Sequence, residues 1–214
     1  MGNFIARYAS CGVRGKDRKK GLNSIMIMQR YLAAATLLLL IILVLSRTFQ
    51  MKKLGIKAMK FGEADKKDFL IPPFALLFYY LVIASAFDLP KLGVELFNNE
   101  IIGWLGITFC GIGILLFVYA LISFGNSFRV GIDEEHPGEL ITTGVFSISR
   151  NPIYTAFGLI LMGVFLIIPN WIFLIYMVVG IWLFNRQIRL EEESLKRIYG
   201  EKYREYCKKV RRFL

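Results

Sequence analysis

The chain has 214 residues, 56% of them hydrophobic, with 27 Lys and Arg against 16 Asp and Glu and a formal net charge of +11. That hydrophobic share, with a positive mean hydropathy, excludes an ordinary soluble domain and a disordered chain and indicates a protein that sits in lipid. The cations flank apolar stretches and carry no RNA-binding signature, so they are assigned to anionic headgroups and nucleic acid is excluded as a partner.

Residues 1–24 form a basic leader holding Arg7, Arg14, Lys16, Arg18, Lys19 and Lys20. It runs into a full-length apolar stretch without a small-residue cleavage site, which argues against a secretory signal. Met-Gly-Asn-Phe-Ile-Ala also lacks the Ser or Thr that myristoylation expects. We read the segment as a disordered leader, or as sequence upstream of a true start at Met26 or Met28.

A helix needs about 20 apolar residues to cross a bilayer core. Residues 25–46, 69–87, 101–124 and 152–184 meet that length with few or no internal charges. The last is too long for one span, and Ile168-Pro169-Asn170 inside it favours a turn. The expectation is one domain over 25–214: an all-α integral membrane protein of about five transmembrane helices, the last two a hairpin. Leu195, Ile198, Tyr199, Tyr203, Tyr206 and Val210 then recur at helical spacing with Lys196, Arg197, Lys202, Arg204 and Lys208 between them, which predicts a C-terminal amphipathic helix at the interface.

Lys and Arg concentrate after the first span (Arg47, Lys52, Lys53, Lys57, Lys60, Lys66, Lys67) and in the tail after Phe184. Cationic flanks stay in the cytoplasm, so both segments and the loop before Pro152 are expected there. The basic leader then falls on the opposite side, against the same rule. Cys11, Cys110 and Cys207 are scattered and His136 is the one histidine, so no metal site is expected.

The 125–149 loop is long, polar and rich in glycine, and loops of that kind carry function or disorder. It leads to Arg150-Asn151-Pro152-Ile153-Tyr154, a cationic, sharply turned mouth to an apolar stretch. The chain leaves that stretch through Glu191-Glu192-Glu193, beside Arg186 and Arg189. Both signs of charge at a membrane edge are costly unless paired or functional.

Three blocks carry a family resemblance: R-V-G-I-D-E-E-H-P-G-E-L-I-T-T-G-V-F, S-R-N-P-I-Y, and E-E-E-S-L-K-R-I-Y-G-E-K-Y-R-E-Y followed by V-R-R-F. In order and spacing the 125–213 region resembles the isoprenylcysteine carboxyl methyltransferases and the wider group that includes phospholipid N-methyltransferases. The resemblance implies a cofactor-binding region over 125–213 that holds S-adenosylmethionine at the cytosolic face, with a lipophilic methyl acceptor reaching it from the bilayer. It implies cofactor contacts at Leu140, Ile141, Phe146, Asn151, Pro152, Ile153, Tyr154 and Glu191, and catalytic roles for Tyr154, Arg150 and Arg189. Asn151 stands where the family has His, Phe146 where eukaryotic members have Tyr, and Gln187 where a substrate-side Arg is expected. The implied reaction is carboxyl O-methylation of an isoprenylcysteine-like acceptor. Phospholipid N- or thiol S-methylation is the alternative, and a sterol-type NADPH-dependent membrane reductase or a non-enzymatic scaffold the reading from another class. Against the reductase, Tyr154 is followed by Thr155-Ala156, without the glycine of that group's motif.

Overall fold

The structure is a computed structural model that describes residues 2–53, 71–87, 89, 93–125 and 139–214, with side chains from residue 20 in the first segment and 73 in the second. His136, most of the glycine-rich loop and the cations at 57, 60, 66 and 67 lie outside the described residues. Among the described residues, six α-helices follow in order: α1 (Gly2–Lys53), α2 (Ile71–Ala86), α3 (Glu100–Phe124), α4 (Pro152–Ile167), α5 (Trp171–Tyr199) and α6 (Glu201–Lys209). The leader backbone continues α1 as helix instead of standing apart from it.

The protein is an all-α integral membrane protein. Residues 20–53 of α1, α3 and α5 are long and apolar enough to cross a bilayer, while α2 and α4 are shorter apolar helices. Local chemistry sets their ends. Asn99 caps α3 by accepting from Ile101 N and Ile102 N at 2.9 and 3.3 Å, and Pro152 opens α4 where its missing N–H costs nothing. Asn170 caps α5 by accepting from Phe173 N at 3.0 Å, so the expected hairpin turn lies at Ile168-Pro169-Asn170.

Close backbone approach welds α3 to α4. A Cβ on Gly106 would lie 2.6 Å from the Gly163 carbonyl oxygen, and one on Gly163 2.6 Å from Cys110 Sγ. Small residues permit this contact, which matters where helix association runs on packing and not on water exclusion. Phe117, Ala156, Ile160 and Val164 fill the seam, and the rings of Phe74, Phe78, Phe173 and Tyr176 join α2 to α5.

Polar groups gather at the two ends. At one end Arg30 pairs with Glu95, Gln29 Nε2 donates to Glu100 O at 3.0 Å, and Leu96 N donates to Pro169 O at 2.7 Å. At the other, Arg47 donates to Gly125 O where α3 ends. The amphipathic segment differs from expectation: α5 runs unbroken from the hairpin turn through its charged stretch to Tyr199. Gly200, at φ +53, then starts the short α6, so the amphipathic residues divide between two helices.

Candidate active site

The Arg47 end of the bundle holds the residues that the sequence singles out. A short 3-10 turn, Gly144–Ser147, packs Val145 and Phe146 against Ala120 of α3. Gly144 sits at φ +61 with Ser123 Oγ too close to leave room for a Cβ, and Ser123 Oγ accepts from Val145 N at 3.2 Å. Ile141 packs on the same cluster and the Phe146 ring meets Phe124 edge-on at 4.5 Å. Phe146 is thus buried in the wall, with Leu140 and Ile141 half-buried before it.

The C-terminus doubles back over this turn. Arg150 N donates to Arg211 O at 2.9 Å, Asn151 Nδ2 to Arg212 O at 3.1 Å, and Tyr206 Oη to Phe146 O at 2.6 Å. Glu192, 4% exposed, is the hub. It pairs with Arg150 at 3.6 Å, accepts from Arg212 Nε at 3.2 Å and Arg212 Nη2, and takes Asn151 Nδ2 at 3.5 Å. Arg150 Nη1 also donates to Cys207 Sγ. These contacts raise the Arg212 pKa, chiefly through its hydrogen bond to Glu192. Burial pushes the Tyr206 phenol up to about 12 and raises that of Tyr203, which the Glu192 charge raises further.

One turn into α4, the Tyr154 hydroxyl donates to Glu191 Oε1 at 2.5 Å. The Tyr154 ring lies 5.8 Å from Phe184, which lies 5.8 Å from Phe157, so the polar pair backs onto an aromatic wall. The structure therefore brings Tyr154 and Glu191 together and sets Arg150, Asn151 and Pro152 in the adjoining frame. Ile153 packs toward the Phe146 cluster. Arg189 is exposed and, two residues before Glu191, lies about 200° around the helix from it.

Through the resemblance, sequence reading assigns Glu191 to the cofactor, but it pairs no single acid with Arg150, and it leaves Ser149, Cys207 and Arg212 unrecognised as members of the cluster. The third motif block contains V-R-R-F, so Arg212 was in view, but nothing in its spacing shows that the chain turns back on itself.

Against known proteins, the phospholipid methyltransferase family model matches residues 101–202. The chain is 34% identical over 108 residues to protein-S-isoprenylcysteine O-methyltransferase B of Arabidopsis thaliana, covering 49% of this chain and 55% of that protein. It is 28% identical over 121 residues to a probable protein-S-isoprenylcysteine O-methyltransferase of Oryza sativa subsp. indica, covering 54% and 62%. To the protein-S-isoprenylcysteine O-methyltransferase of Saccharomyces cerevisiae it is 34% identical over 94 residues, covering 42% and 39%. With the motifs, these matches make the 101–202 region similar to the phospholipid methyltransferase family and to the isoprenylcysteine O-methyltransferases. The chain spans 55% to 62% of the length of the first two relatives.

Proposed function

We propose that the protein is an S-adenosylmethionine-dependent methyltransferase that carries out carboxyl O-methylation of an isoprenylcysteine-like lipophilic acceptor at the cytoplasmic membrane face. The observation that carries this reading is the Tyr154–Glu191 pair, set where α4 and α5 leave the apolar layer and inside the region that matches the family. The residues suit the cofactor: the Glu191 carboxylate offers a partner for an ammonium, while the Tyr154 hydroxyl and nearby backbone groups offer hydrogen bonds to polar ends. Leu140, Ile141, Pro152 and Ile153 supply apolar surface nearby. Asn151, Phe146 and Arg150 keep the frame in register through Glu192 and the returning C-terminus.

When bound, S-adenosylmethionine supplies an electrophilic methyl group. The chain's own work is positioning and exclusion of water, for which Tyr154, Phe157 and Phe184 form a ready wall. A carboxylate acceptor arrives ionised, so no side chain has to remove a proton. That agrees with a site whose described acid is hydrogen-bonded to Tyr154. The name of the matched family favours a phospholipid amine as the second reading of the acceptor.

The test is binding to purified protein in detergent. S-adenosylhomocysteine should bind and NADPH should not; NADPH binding alone would move the protein to the reductase class, and binding of neither would favour a scaffold.

A further inference from the structure

Residues 208–214 read Lys-Lys-Val-Arg-Arg-Phe-Leu, four cations and no acid, then two apolar side chains. Arg212 turns inward onto Glu192. Lys208, Lys209 and Arg211 are exposed, and among the described residues no ion pair covers them. Upstream on α6, the Glu201 carboxylate is already taken by Arg204 at 3.3 Å. Phe213 and Leu214 are 40% and 58% exposed, and Ile148, beside their neighbour Ser149, is 57% exposed. Exposed apolar surface rimmed by charge marks contact with a membrane or a partner.

The direction of the chain sets the depth of this segment. Arg211 pairs with Ser149 in a parallel bridge, and Arg150 N donates to Arg211 O at 2.9 Å. Because the two segments run the same way, residues 211–214 descend alongside 149–152 at about 3.3 Å per residue. Helix α4 enters the apolar layer at Pro152, so Phe213 and Leu214 reach the level at which that layer begins. Arg211, and the lysines at the end of α6, come before them on the approach. Charge among the headgroups with an aromatic or aliphatic tip at the acyl boundary is how interfacial segments seat on a bilayer. The same segment also holds the candidate site: Asn151 Nδ2 and Ser149 Oγ both donate to Arg212 O, at 3.1 and 3.4 Å.

We propose that residues 208–214 dock on anionic phospholipid at the membrane face that carries the site, and that this docking holds the Ser149–Asn151 frame in place. The partner is a lipid surface because the segment presents cations and then apolar side chains in the order that a leaflet receives them, at the level where α4 enters the bilayer. A neutral leaflet supplies the acyl boundary but no counter-charge. Each Lys or Arg near an anionic leaflet favours contact by about fivefold, so Lys208, Lys209 and Arg211 make the docking depend on leaflet charge. Lipid composition then sets the affinity of the cofactor site, a step that rests on the methyltransferase reading above.

The experiment places the full chain in nanodiscs of phosphatidylcholine, alone or with about a third phosphatidylserine. Amide hydrogen exchange across residues 148–152 and 208–214 should slow about tenfold with phosphatidylserine, and high salt should remove most of that slowing. Lys208→Gln with Lys209→Gln should keep about threefold of it or less, and Phe213→Ser with Leu214→Ser should lose a comparable part. S-adenosylhomocysteine should bind wild type about fivefold more tightly in the anionic discs, and the lysine variant about equally in both. Exchange that ignores lipid charge in wild type, or a lipid effect unchanged in either variant, would overturn the proposal. So would slowing by soluble polyglutamate in neutral discs but not by phosphatidylserine, which would assign the surface to an acidic protein. Lipid-dependent exchange with unchanged S-adenosylhomocysteine affinity would overturn the coupling to the site. Lipid-dependent exchange with no S-adenosylhomocysteine binding in either disc would uphold the docking and instead overturn the methyltransferase reading.

Discussion

Glu191 and Glu192 point about 100° apart around α5, and that angle decides which partner each meets. Glu191 faces Tyr154 at the edge of the apolar layer, whereas Glu192 turns into the space between Arg150 and Arg212. Removing the first should cost ligand and removing the second should cost the fold. Glu191→Gln or Tyr154→Phe is expected to weaken S-adenosylhomocysteine binding about tenfold, in line with the loss of one charge-assisted hydrogen bond, with little change in Tm. Equal affinity in both variants would remove the pair from the site. Glu192→Ala leaves two guanidinium groups facing one another without their acid, a change that costs about 3–5 kcal/mol for a buried pair. The lower end is expected, because Arg212 is 41% exposed. Thermal unfolding in detergent checks it, and a Tm equal to that of wild type would show that Glu192 is not the hub.

The helices differ in how plainly the sequence announces them. Pro152 and the Ile168-Pro169-Asn170 turn mark both ends of α4 because proline and asparagine act locally, on the backbone next to them. The α3–α4 weld is a long-range contact, and glycines on a lipid-soluble helix leave no sign of which face they open. Gly163 and Gly111 illustrate the difference. A methyl at Gly163 meets backbone atoms of α3, while one at Gly111 meets nothing within 4 Å. Gly163→Ala should therefore lower stability by about 1–3 kcal/mol through overpacking, and Gly111→Ala should leave it unchanged or raise it slightly. Thermal unfolding of the two variants side by side checks the contact, and identical behaviour would refute it. The course of α5 past Phe184 was also hidden. Apolar periodicity stops there, so the charged stretch reads as a new element, although the backbone hydrogen bonds continue without interruption to Tyr199. The clamp made by Arg211 and Arg212 on Ser149, Arg150 and Asn151 is hidden for a third reason: one parallel bridge and the side-chain hydrogen bonds of Ser149 and Asn151 to Arg212 O have no period to detect.

At the scale of the whole molecule, the polar ends of the bundle lie close together for a membrane protein. Helix α4 has 16 residues, about 24 Å, and the stretch of α1 between Arg30 and Arg47 covers about 25 Å. A typical hydrocarbon core is about 30 Å thick, and each Å of mismatch costs a fraction of a kcal/mol. The protein should be more stable in phosphatidylcholine vesicles with 14-carbon chains than in those with 22-carbon chains. Thermal unfolding across a series of chain lengths measures this, and a flat response would show that α3 and α5, which are longer, set the fit by themselves.

The unbroken course of α5 also makes it a ruler. Phe184, Gln187 and Glu191 are carried on one rigid rod that begins at the Asn170 cap on the far side of the membrane, so their depths and bearings are fixed together from that single anchor. One residue inserted between the cap and Phe184 would advance all three by 1.5 Å and swing them by about 100°. A greasy wall, a buried carboxamide and an acid would then turn away from Tyr154 together, like the teeth of one key.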